Sequence, residues 1–181
     1  MDCLDIAARH DGTKRMSPTR ADGDSAAFRS AMREFASGVA IVTCGEGETR
    51  AGCTATALTS LSLTPPTLIV CIDHEATTLA RLRQSATFAV NILGVRHEAL
   101  AGRFAGRGGV KGAARFSQGE WLTLRTGAPV LSDALAGIEC RIEEIIDRHT
   151  HAIVIGAVVA VHRGGHGGAL VHWRSAFETL E

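Results

Sequence analysis

Between Arg50 and Asp73 the chain carries no charge, yet seven hydroxyls (Thr54, Thr56, Thr59, Ser60, Ser62, Thr64 and Thr67) run through an otherwise apolar stretch. Such a segment is too polar for plain core and too uncharged for plain surface. Small neighbours leave backbone N–H and C=O groups approachable, and the hydroxyls of Thr59, Ser60 and Ser62 can donate to a phosphate. A flat heteroaromatic ligand with a phosphate tail suits this surface. The competing reading is a Thr/Ser-rich edge strand whose hydroxyls are satisfied locally. A membrane span is excluded, because a spanning helix needs about 20 predominantly apolar residues and Pro65-Pro66 would break a helix midway.

Other chemistry finds less support. GRGGVKG from Gly106 lacks the G-x-G-x-x-G spacing and has no Walker lysine followed by Ser or Thr, so it reads as a flexible loop. No G-x-S-x-G nucleophile motif is present. His149-x-His151 and His162-x-x-x-His166 have ligand-like spacing but no identifiable third ligand, so no metal is expected.

The elements that must position the hydroxyl run follow from periodicity. Asp24 or Ser25 caps a covering helix in which Phe28, Met32 and Phe35 recur at helical spacing, with Gly38 as its stop. From Val39 the period changes to short β-rich runs. GEGET (45–49) is a hairpin connection, and further strands are expected at 50–62, 67–72, 87–93, 138–147, 152–162 and 170–174. Helical patches fall at 78–84 and 97–104, and 104–121 reads as a long, glycine-rich surface loop. Strands joined by hairpins or short helices, without regular β-α alternation, predict a mainly β fold: an antiparallel barrel with peripheral helices.

Composition bounds the class. With 181 residues the chain is expected to form one domain over 25–181 behind a disordered lead over 1–24, with Met16 as an alternative start. Lys+Arg and Asp+Glu both number 19, so no field of one sign points to nucleic acid or an anionic membrane. Five widely spaced cysteines without a C-x-x-C fit reduced thiols in a cytoplasm, and the N-terminus lacks a signal-peptide pattern.

Seven segments in register change the picture: FASGVAIVT (35–43), AGCTATALTSLSLTPPTLIVCI (51–72), FAVNIL (88–93), RFAG (103–106), APVLSDALAGIECRI (128–142), HAIVIGAVV (151–159) and LVHWRSAF (170–177). Together they resemble the short-chain flavin reductases of the FMN-binding split-barrel family. Within it, Arg50-Ala-Gly, Thr64-Pro-Pro-Thr and the Arg115-Phe and Trp121 region are most similar to the reductases that serve pyrimidine-degrading (uracil-degrading) monooxygenases.

The resemblance implies a homodimer of split barrels that reduces FMN or FAD with NADH or NADPH and supplies reduced flavin to a separate flavin-dependent monooxygenase. It assigns flavin contacts to Thr54, Ala55, Thr56, Ala57, Leu58, Ser60 and Leu61, with others at Glu75, Ala76, Thr77, Arg81, Leu82 and Arg107. The uncharged run becomes a flavin cradle, with Arg81 balancing the phosphate. The family's Gly-Asp-His reads His149-Thr150-His151 here. His151 shares the parity of Ile153 and Ile155, expected to face the barrel interior, and so falls at the rim, where it either positions the nicotinamide or only hydrogen-bonds a neighbouring carbonyl. A flavin-storing electron-transfer module and a split-barrel oxidase of a small amine are the alternatives.

Overall fold

The computed structural model describes residues 24–181; the expected disordered lead and the alternative start at Met16 lie, apart from Asp24, outside the described residues. The described residues divide into two units between Met32 and Arg33. The first contributes α1 (Ser25–Met32), whose opening amides at Ala26 and Ala27 donate to the Asp24 carboxylate at 3.0 and 3.1 Å. The helix stops at Met32, short of the predicted Gly38, because Ser37 and Gly38 already pair as a strand.

The second unit is mainly β. Its strands are β1 (Ser37–Gly38), β2 (Ala40–Cys44), β3 (Ala51–Ala55), β4 (Leu58–Leu63), β5 (Pro66–Asp73), β6 (Thr87–Ile92), β7 (Trp121–Leu122), β8 (Val130–Leu131), β9 (Ala136–Arg148), β10 (His151–His162), β11 (Ala169–Trp173) and β12 (Ala176–Leu180). Helices α2 (Thr77–Ser85) and α3 (Glu98–Phe104) flank β6 in sequence. Seven strands form one antiparallel sheet in the order β3-β2-β6-β9-β10-β5-β4. Its core holds Val42, Val70, Leu82, Phe88, Val90 and Val154. The predicted 50–62 strand is two strands. β3 pairs with β2 and β4 with β5, so consecutive strands occupy opposite edges of the sheet, separated by the Thr56-Ala57 corner. Cys71 N–H donates to Ala57 C=O at 2.9 Å across this corner, but among the described residues no ladder joins β3 to β4, and the barrel is not closed.

The predicted loop at 104–121 is structured. Gly112–Ser117 forms 3₁₀ turns that bury Phe116 against Phe104 and Trp121, with ring centroids 4.9 to 5.6 Å apart. Aromatic anchors thus hold a segment whose glycines suggested flexibility. Strand β12 escaped sequence reading because its hairpin with β11 turns through Arg174 and Ser175 at φ 49° and 68°, without the Asn-Gly signal.

Candidate active site

Strand β3 is the edge from which the site is built. Gly52 on this strand admits the Phe104 ring; a Cβ there would lie 2.7 Å from it. The contact draws α3 and the following turns against the edge, and Thr54 Oγ1 donates to Ala101 C=O of α3 at 2.6 Å. Arg115, from the 3₁₀ turns, adds a three-point clasp. Its Nε donates to Val110 C=O at 2.9 Å, while its Nη1 donates to Gly52 C=O at 2.9 Å and Phe104 C=O at 3.1 Å.

Between this edge and α2 lies a cavity of about 560 Å³, within the usual range for small-molecule sites. One wall is the start of α2: Glu75, Ala76, Thr77, Thr78 and Arg81. Ala76 caps α2 without a side-chain hydrogen bond, and Ala76, Thr77 and Thr78 line the cavity, which places the positive end of the helix dipole at its wall. The opposite wall carries Glu48, Arg50, Lys111 and Arg115. Two buried polar atoms of lining residues stand out: Arg50 Nε has no hydrogen-bond partner, and Thr78 Oγ1 has none beyond the neighbouring Cys53 thiol. A second cleft of about 230 Å³ opens where the sheet fails to close, lined by Cys53 through Ala57, by Cys71, Ile72 and Asp73, and by His151. Cys53, Thr54 and Ala76 line both spaces, so the basin and the seam cleft adjoin. Burial holds the Cys53 thiol above its ordinary range, with the neighbouring Thr78 hydroxyl and then Arg115 pulling the other way, so it stays a neutral wall.

The sequence-predicted residues divide. Thr54, Glu75, Ala76, Thr77 and Arg81 line the basin; Thr54, Ala55, Thr56, Ala57, Ala76 and His151 line the seam cleft. Leu58, Ser60, Leu61, Leu82 and Arg107 line neither. Leu82 is wholly buried in the core, and Arg107 stacks on the Phe177 ring at 5.0 Å. Thr59, Ser60 and Leu61 are exposed on β4, at the far edge of the sheet; Thr59 Oγ1 donates to Ser60 C=O, and Ser62 Oγ accepts from Thr64 N–H. These hydroxyls, expected to face a phosphate, line neither space. Lys111 and Arg115 fall in the segment read as a loop, and Arg50 at the start of an expected strand, so none of the three was singled out as a lining residue.

His151 is exposed at the start of β10, with its Nδ1 2.8 Å from Thr150 Oγ1. Thr150 stands at the position of the aspartate in the family's Gly-Asp-His. The parity of His151 is the reverse of that expected: Ala152 and Val154 enter the core, whereas Ile153 and Ile155, which share His151's face, are only half-buried. Branched apolar residues on both faces made the alternation ambiguous in sequence.

The Flavin reductase like domain family model matches residues 32–181. An FMN reductase (NADH) RutF 1 of Methylorubrum extorquens is 43% identical over 160 residues, spanning 87% of this chain and 77% of that protein. Among solved structures, BorF, the flavin reductase component of a bacterial two-component tryptophan halogenase, superposes with a TM-score of 0.79 at 32% identity, covering 87% of this chain and 98% of BorF. The NADH:FAD oxidoreductase SgcE6 of Streptomyces globisporus C-1027, in complex with NAD and FAD fragments, gives 0.78 at 29% identity, covering 87% and 93%.

Proposed function

This chain belongs to the flavin reductase like family, and on that premise we propose that it passes hydride from NADH to FMN and supplies reduced flavin to a separate flavin-dependent monooxygenase, in pyrimidine (uracil) degradation. FAD is the alternative acceptor. The observation that carries the reading is the continuity, across Cys53, Thr54 and Ala76, of a basin lined by four cations with a seam cleft of small and hydroxyl-bearing residues in which Asp73 is the one carboxylate. A phosphate-bearing flat ring needs both environments, in that order.

The residues present fit such a ligand. The start of α2, which has no side-chain cap, the Thr78 hydroxyl and Arg81 offer an anion position, and the β3 edge and the Thr56-Ala57 corner offer backbone groups along the seam. When bound, the flavin supplies hydride acceptance at N5. The chain aligns the two reactants: the α2 terminus fixes one end, backbone N–H groups about Thr54 to Ala57 face charge developing on the ring, and His151 at the cleft offers an imidazole to the nicotinamide amide. Thr54 donates its own hydroxyl to α3 and so acts through its backbone.

The seam between β3 and β4 supports a split-barrel description of the fold, with the reductase domain at 25–181. The half-buried Ile153, Ile155 and Val159 on β10, beside exposed Leu61, Leu63 and Val161, support a homodimer that covers this face. No described helix is long and apolar enough to cross a membrane; with four free thiols among the described residues, a cytoplasmic location is consistent. The deciding experiment is steady-state NADH oxidation by purified protein with and without added FMN. Saturable dependence on free FMN is expected. Oxidation without added flavin would favour a flavin-storing module, and oxidation only with a small amine would favour an oxidase.

A further inference from the structure

The basin carries cations on both walls, Arg81 beside Glu75 at α2 and three more opposite, and a flavin phosphate at α2 needs only the first. On the other, Arg50, Lys111 and Arg115 make no ion pair with a carboxylate among the described residues. Arg50 lies over the Phe116 ring, its Cζ 5.0 Å from the centroid, with its buried Nε unpartnered. Arg115 spends Nε and Nη1 on three backbone carbonyls, while among the described residues Nη2 has no acceptor. A guanidinium clasped this way cannot swing out to water, so its remaining donors are held ready at the cavity wall. Partly buried cations without a counter-ion are costly unless an anion from outside completes them. Glu48 is the single acid on this wall.

Resting on the flavin reductase reading, we propose that Arg50, Lys111 and Arg115 form a second anion position, separate from the one at α2 and Arg81, that takes the diphosphate of a dinucleotide. That chemistry is shared by FAD and NADH. FMN, with a single phosphate, occupies only the α2 position. The second position therefore sets selectivity between mononucleotide and dinucleotide ligands at this site.

Lys111 makes no side-chain hydrogen bond among the described residues and is exposed, so Lys111→Gln should leave the fold intact; Arg50→Gln is the second variant, and Arg81→Gln is the reference for the α2 position. Flavin fluorescence titrations with FMN and FAD, and the NADH KM at saturating FMN, are measured for each. If the diphosphate is that of FAD, both wall variants weaken FAD about fivefold or more and leave FMN within about twofold. If it belongs to NADH, KM for NADH rises about fivefold, with kcat and both flavin affinities within about twofold. Equal losses for FMN and FAD, or no loss in any of the three, overturn the second position. An Arg81→Gln protein that binds FMN as tightly as the parent would instead remove the α2 site and the flavin reading beneath it.

Discussion

Glu139 and Arg115 are both charged side chains that reach three backbone groups, but they end in opposite states. Glu139 is fully buried, and its carboxylate accepts the amides of Leu124, Arg125 and Thr126 at 3.3, 2.7 and 3.0 Å. Next to it, the equally buried Asn91 donates to Ile41 C=O at 3.1 Å and accepts Leu131 N–H at 2.7 Å. Arg115 instead keeps donors facing a cavity it shares with three more cations. A buried polar group that is fully paired inside the chain holds architecture; one left incomplete holds a place for something else.

The largest effect should come from the sealed side. Glu139→Ala strands three amides and should lower unfolding free energy by about 3 kcal/mol or more, read in thermal melts, with flavin affinity of the folded protein little changed. An unaltered melting temperature would move Glu139 out of the structural class.

The sealed side also carries Cys44 and Cys140, whose thiols burial pushes up to about 12 from an ordinary 9.0. A folded-state value above the unfolded one favours the native state fully below pH 9 and loses that advantage as pH rises toward 12. Stability should therefore decline through this window, by about 1 kcal/mol per thiol near pH 10. Denaturant titrations should show Cys44→Ala, relative to the parent, with a shallower decline; parallel slopes would mean that the thiols do not titrate on unfolding.

On the incomplete side the expected signs reverse. Arg81→Gln should raise the FMN dissociation constant about tenfold, or 1.4 kcal/mol, while leaving the melting temperature equal or higher, because an uncompensated cation is removed. A lower melting temperature with unchanged affinity would assign Arg81 to architecture. The smallest effect concerns His151, exposed and oriented by Thr150. His151→Ala should raise KM for NADH several-fold, about 1 kcal/mol, with kcat reduced by less than about tenfold. A kcat collapse of about a thousandfold with both KM values intact would make the imidazole an acid–base group instead.

Strand positions were legible wherever one face alone is apolar or a turn residue marks an end: 67–72, 87–93, 138–147, 152–162 and 170–174 coincide with observed strands to within a residue or two at the ends. The composition between Arg50 and Asp73 pointed to a ligand surface; in the structure 53–57 line the seam cleft, and of these Cys53 and Thr54 also line the basin. What composition could not divide was that run itself. Cys53 through Ala57 face the seam, while Thr59, Ser60 and Leu61, equally uncharged, lie exposed at the opposite edge of the same sheet. Strand order is set by long-range pairing, which local sequence does not encode. The basin's cations are likewise tertiary: Arg50, Arg81, Lys111 and Arg115 come from three separate segments, and burial of Phe104 and Phe116 brings the glycine-rich segment against β3. The sequence by itself determined which residue types were available for a phosphate and a flat ring; packing decided which of them meet, because the free energy that places them is gained between segments far apart in the chain.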